Sequence, residues 1–175
     1  MTVQTLYKEN KYNGHVFDVA KVYVKLPDGR ERAYDLVEHG NSVTIVPVSE
    51  EGELYFVAQH RIGAGDTLLE LPAGVLDGDE EPRSAASREL QEEIGKAPGE
   101  LIELGGFYLA PGYTDEYMVV FLAKDLSDSP LDPDEDEFLE IIKMPIAEAY
   151  KKVVAGEIHD GKTLASLLLA QPFLK

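Results

Sequence analysis

Three glutamates in the stretch "SRELQEEIGK", Ser87 to Lys96, stand at i, i+3 and i+4: Glu89, Glu92 and Glu93. On a helix these positions share one face. Like charges at that spacing repel and destabilise the helix that carries them. Arg88, one turn before Glu92, can offset part of the repulsion by pairing with it. Carboxylates gathered at the rim of a core form a hard-oxygen cage suited to Mg2+ or Mn2+. On the three glutamates alone a solvated acidic face is the commoner outcome, so the flanking sequence has to decide.

From Pro82 to Ile94 the pattern is helical, with Ala86, Leu90 and Ile94 at i, i+4 and i+8 on one face. The glutamates take the neighbouring arc, which places them at the edge of a packed interface. Pro82 suits a helix start and Gly95 the position just past its end. Ahead of this helix the chain reads as strands. "HVFDVAKVYVKL" and "ERAYDLVEH" flank "PDGR", where Asp28-Gly29 signals a hairpin. "SVTIVPV", "ELYFVAQ" and the short run "LLELPAG" follow. After the helix come "LIELGGFYLA", "YMVVFLA" and "FLEIIKM" as strands, then "PIAEAYKKVVAG" and "LASLLLAQ" as helices, the last capped by Thr163. With strands dominating early and helices spaced through the rest, this order predicts an α+β chain, an α/β/α sandwich with a mixed sheet.

At 175 residues the chain is expected to be one domain over 1–175, large enough to bury a core. Its 33 acidic residues against 16 basic ones give a formal net charge of −17. That balance disfavours nucleic acid and anionic membrane surfaces as partners, because both are held by Lys and Arg. An anionic substrate would need a divalent metal as mediator. The chain has no cysteine, which excludes disulfides and thiolate zinc sites. The four histidines, at 15, 39, 60 and 159, show no ligand spacing. No run suits a signal peptide or a membrane span, so a soluble, cytoplasmic protein is the expectation.

Reading outward from the glutamates gives Gly74, Glu80, Arg88-Glu89-Leu90, Glu92-Glu93 and Gly95, the spacing G-x5-E-x7-R-E-U-x-E-E-x-G-U with U a bulky aliphatic residue. This resembles the Nudix box of hydrolases that cleave nucleoside diphosphates linked to another moiety. One departure is Lys96 in the final aliphatic slot, where a cation suits the helix C-terminal dipole. The resemblance implies that the glutamates hold divalent cations, Mg2+ with Mn2+ as a substitute, against a pyrophosphate. It implies Glu89, Glu92 and Glu93 as ligands together with the backbone carbonyl of Ala73, Arg88 as the orienter of the carboxylates, and structural roles for Gly74 and Glu80.

The flanks "QHRIGAGDTLLELPAG", "GGFYLAPGYTDE", "DEDEFLEI" and "AGEIHDGKTLASLLL" resemble ADP-ribose (ADP-sugar) pyrophosphatases, with Pro111 at the interval past the box that marks that subfamily. Arg61, by itself a surface arginine at a strand end, would then meet the substrate phosphates as a bidentate fork. Glu70 would lie in the metal and substrate region, and Glu116 near the terminal ribose; each has a plain structural or solvated alternative. The run "DPDEDE", Asp132 to Glu137, reads alone as a solvated acidic loop, and it lacks the glycine of an EF-hand. The resemblance makes Glu135 the first choice for the base that deprotonates the attacking water and Glu137 the second, or an added ligand. It also implies a homodimer, with residues 1–40 as an antiparallel strand extension able to pair between subunits and 41–175 as the Nudix core. The implied activity is hydrolysis of ADP-ribose to AMP and ribose 5-phosphate. The alternatives are another nucleotide sugar such as GDP-mannose, or a non-catalytic nucleotide-binding module.

Overall fold

The computed structural model describes residues 2–132 and 138–174. Ten strands and three helices follow one another as β1 (Gln4–Asn13), β2 (Phe17–Lys25), β3 (Glu31–His39), β4 (Ser42–Pro47), β5 (Glu53–Arg61), β6 (Asp66–Glu70), β7 (Ala73–Val75), α1 (Pro82–Glu93), β8 (Lys96–Tyr108), β9 (Tyr117–Asp128), β10 (Glu140–Pro145), α2 (Ile146–Ala155) and α3 (Gly161–Ala170). They fall into two compact units, one of residues 1–41 with 108–117, the other of residues 42–107 with 118–175.

The first unit is an antiparallel meander of β1, β2 and β3. The predicted Asp28-Gly29 turn joins β2 to β3, with Gly29 at φ 88 donating its N–H to the carbonyl of Leu26 at 2.9 Å. Only glycine takes that left-handed backbone without strain. β1 is a strand the sequence pattern did not predict. Every residue of "QTLYKENKYN" is exposed, so it carries no apolar alternation to announce it. Tertiary pairing defines it instead: it runs antiparallel to β2 from Gln4↔Lys25 to Asn13↔Asp18, with Tyr7 stacked on Tyr23 at 4.3 Å. In the 108–117 segment, Val37 donates to the carbonyl of Tyr113 at 2.8 Å and His39 N–H to Asp115 at 2.9 Å.

The second unit holds two sheets, ordered β10-β5-β6 and β7-β4-β9-β8. The latter is mixed, since β4 pairs antiparallel with β7 and parallel with β9. β4 and the central stretches of β5 and β9 bury both faces, as their near-continuous apolar runs require. Leu54 and Phe56 of β5 and Val120 and Leu122 of β9 join Ala149 of α2 and Leu167 of α3 in one cluster. The alternate residues Tyr55, Val57, Phe121 and Ala123 join Ala85, Ala86, Leu90 and Ile94, the core face of α1, in another. Helices thus cover both sides of the strands, in the α/β/α layering expected from the sequence.

Helix ends explain two further details. Gly156 closes α2 in the left-handed conformation at φ 71, as its position predicted. The cap of α3, however, is Asp160 rather than Thr163, because the helix begins three residues earlier than expected, at Gly161. Asp160 accepts the Thr163 N–H at 2.9 Å, and the Thr163 hydroxyl is buried inside the fold. Asp160→Ala should lower stability by about 1 kcal/mol or somewhat more, read as a fall in the urea midpoint without a change of slope.

Candidate active site

The carboxylate helix is built as its pattern demands. Glu81 precedes it in extended backbone, and Pro82 fills the first helical position, where no N–H is needed. At the other end the Ile94 N–H reaches the Leu90 carbonyl at 3.2 Å, and Gly95 turns the chain away at φ 69. Ala85, Ala86, Leu90 and Ile94 are buried, which fixes the rotation of the helix about its axis. That rotation sets Glu89 and Glu93 at the seam, 7% and 5% exposed, with Glu92 farther out. Lys96 begins β8 and pairs with Asp128 of β9, so its charge is spent on the neighbouring strand and not on the helix end.

Against this face lies β7, held in place by its pairing Val43↔Gly74 and Thr44↔Ala73 with β4. The Ala73 N–H donates to Glu93 Oε2 at 3.1 Å. A Cβ on Gly74 would stand 1.9 Å from Glu89 Oε1, so any other residue here would push this carboxylate out of its place. Arg88 ties the cluster together: Nη1 donates to Glu89 at 2.7 Å and Glu92 at 2.9 Å, and Nη2 donates to Glu80 at 2.9 Å and to the Val75 carbonyl at 3.2 Å. The hydrogen bond to Glu80, backed by the Glu89 and Glu92 carboxylates, raises the Arg88 pKa well above its ordinary value. The same bond lowers that of Glu80.

Among the described residues no three carboxylate or imidazole side chains stand in a ready metal-ligand group. Arg88 lies between Glu89 and Glu92 instead, two oxygens within 2.9 Å of one nitrogen. The donor chemistry nevertheless fits a divalent cation. All the donors are hard oxygens, two carboxylates are largely buried, and a single guanidinium faces Glu80, Glu89 and Glu92 with Glu93 one turn away.

Arg61 and Glu70 are brought together. Arg61 donates Nε to Glu70 Oε1 at 2.8 Å and Nη2 to Oε2 at 2.6 Å, so the fork expected for phosphate grips the carboxylate. The guanidinium edge that remains faces away from it, and the side chain is 43% exposed. Lys162 Nζ also donates to Glu70 Oε2, and to Asp160 at 3.1 Å. Burial pushes the Glu70 carboxyl up, but the Arg61 fork and the Lys162 charge outweigh it and hold the pKa below the ordinary value. Glu70 therefore adds stability that is complete above its unfolded pKa of about 4.3 and is lost as pH falls through the lower folded value. Glu70→Gln should flatten that part of the acid limb in a plot of melting temperature against pH.

Glu70 ends β6 three residues before Ala73, and the Arg61 guanidinium feels the charges of Glu70, Asp160 and Glu93, in that order. This paired quartet and the carboxylate helix thus belong to one region of the second unit. Glu116 is in the first unit, its carboxylate 3.8 Å from His39 Nδ1 and its N–H directed to the Thr114 hydroxyl at 3.3 Å. Glu135 and Glu137 lie outside the described residues. Lys162 and Asp160 escaped the sequence reading. The signal was present in "HDGKT", an aspartate three residues before a threonine at a helix start.

The two faces of α1, one packed and one acidic, and the glycine-tight turn of β7 stand side by side in the second unit. The NUDIX domain family matches residues 38–167, and the chain belongs to that family and is a Nudix hydrolase. It is 36% identical over 170 residues to an ADP-ribose pyrophosphatase of Bacillus subtilis, covering 96% of this chain and 92% of the relative. It is 31% identical over 147 residues to a GDP-mannose pyrophosphatase of Yersinia pestis, covering 78% and 74%. A solved crystal structure of an ADP compounds hydrolase superposes with a TM-score of 0.88 at 25% identity, covering 99% of this chain and 95% of that one. Among the described residues, no helix is long and apolar enough to cross a membrane.

Proposed function

We propose that the chain hydrolyses the pyrophosphate of ADP-ribose to AMP and ribose 5-phosphate with Mg2+ as cofactor. The observation that carries this reading is the pair of nearly buried carboxylates, Glu89 and Glu93, on one face of α1 and set against the Ala73-Gly74 backbone. Glu89, Glu92, Glu93 and the Ala73 carbonyl would hold the cations. When bound, these supply charge to the phosphoryl oxygens and make a water more acidic. Arg88 orients the carboxylates, and the outward edge of Arg61 takes a phosphate oxygen. Glu116 contacts the ribose end. The oxygen of a water forms a new bond to one phosphorus, the bridging P–O bond breaks, and the bridging oxygen leaves with the other phosphate. Glu135 takes the proton from the water, with Glu137 as the second candidate or an added ligand.

Incubation with ADP-ribose, GDP-mannose, diadenosine polyphosphates and NADH, each with and without Mg2+, tests this. AMP and ribose 5-phosphate from ADP-ribose, formed only with metal, are the expected result. Preferential turnover of GDP-mannose, the reading favoured by the Yersinia relative, would replace the substrate while keeping the site. Gly74→Ala sharpens the geometry: its Cβ must displace the end of the Glu89 side chain, so stability should hold while kcat falls about a hundredfold.

The same reading assigns a cytoplasmic enzyme acting on a small nucleotide sugar, with neither nucleic acid nor membrane as partner, in keeping with the charge of −17. It treats residues 1–175 as one Nudix domain that dimerises through residues 1–40. Support comes from β1, an exposed edge strand that presents Tyr7 and Tyr12 to solvent. Sedimentation should therefore give twice the chain mass of 19.3 kDa, and a monomer at micromolar concentration would remove the dimer from the account.

A further inference from the structure

Glu70 is the most deeply buried carboxylate among the described residues, at 1% exposure, and it is gripped from two elements. Arg61 on β5 approaches as a fork, while Lys162 on the first turn of α3 donates to Oε2. Lys162 is itself buried and is anchored by Asp160, the cap of its own helix. The neighbouring Thr163 accepts the Leu71 N–H at 2.8 Å and donates to Asp160 at 2.6 Å. The start of α3 is thereby fastened to Glu70 and Leu71 by separate bonds.

We infer that Lys162 is a positioning residue for Arg61, acting through Glu70, so that the arginine presents a fixed edge to the substrate pyrophosphate. This rests on the functional reading above. A carboxylate turns about a broad, soft terminal torsion, and a guanidinium bound to it as a fork must turn with it. The Lys162 bond to Oε2 stops that rotation from outside the β5–β6 pair. Among the described residues no hydrogen-bond partner meets Arg61 Nη1, the nitrogen left over from the fork. Its direction therefore depends on Glu70, and the direction of Glu70 depends on Lys162. The charges fit the role: Arg61 and Lys162 balance Glu70 and Asp160, so the quartet is neutral and Arg61 is not given up to an excess of acid.

The test compares wild type, Lys162→Met, Arg61→Ala and the double variant in ADP-ribose hydrolysis with Mg2+, with inorganic pyrophosphate binding measured by calorimetry. Lys162→Met should raise KM about tenfold, the worth of one charged hydrogen bond, with kcat changed far less. In the Arg61→Ala background it should add nothing, since the two act as one unit. Lys162→Arg, which keeps a cation in reach, should recover most of the loss. An unchanged KM in folded Lys162→Met, or a full tenfold effect that persists without Arg61, would overturn the role. If Lys162→Met does not fold, Lys162→Gln takes its place with the same outcomes. A wild type inert to ADP-ribose overturns the substrate reading instead. The ratio of pyrophosphate dissociation constants, again expected near tenfold, then decides the role of Lys162.

Discussion

Glu93→Gln is expected to lower kcat by roughly a hundred- to a thousandfold, because on the proposed function it would withdraw one carboxylate from cations that lower the transition state by several kcal/mol. The fold should survive. Glutamine has the same shape, and its amide oxygen can still accept the Ala73 N–H that Glu93 accepts at 3.1 Å. Removing one negative charge beside Glu89 also relieves repulsion along the helix. The melting temperature is therefore predicted to stay level or to rise in the absence of metal. Steady-state kinetics and thermal unfolding on the same preparation check both halves. Unchanged kcat would remove Glu93 from the metal site.

Leu90→Ala is predicted to do the reverse. Leu90 is fully buried between the glutamates in sequence and packs with Val43, Ile45, Phe121 and Ala123 on the strands. Truncation leaves a cavity in a close-packed cluster and should cost about 2–5 kcal/mol. That is a large share of the total stability of a domain of this size. The folded fraction should still hydrolyse substrate at a rate within a few-fold of wild type, since Leu90 lies on the packed face of α1. Urea unfolding gives the first quantity, and activity normalised to folded protein gives the second. The two variants separate the packed face of α1 from its acidic face.

Much of this was legible in the sequence for a physical reason. Helical periodicity alone put Ala86, Leu90 and Ile94 inward and the glutamates at the rim, and the buried core face of α1 bears that out. The Asp28-Gly29 hairpin and the glycines at 95 and 156 carried their backbone requirements openly. β1 was not legible, because an exposed strand defined by its partner leaves no alternation in its own residues. Nor was the pairing of Glu70 with Lys162, which lie 92 positions apart and meet only once α3 has docked. The family resemblance, not the residue type, implied a phosphate fork for Arg61; neither could show that a carboxylate grips that fork. Thr163 looked like a cap because its side chain is of the right kind. The helix began at Gly161, and the hydroxyl was drawn inward to Leu71.

On the proposed function, the helix tolerates repulsion among Glu89, Glu92 and Glu93 because divalent cations would complete it when a diphosphate arrives. Electron paramagnetic resonance of Mn2+ titrated into the chain, with and without ADP-ribose, addresses this most directly. The account predicts tight Mn2+ sites that tighten further with the nucleotide and are lost in Glu89→Gln and Glu93→Gln. Equal, weak Mn2+ binding in the wild type and both variants, indifferent to ADP-ribose, would contradict it.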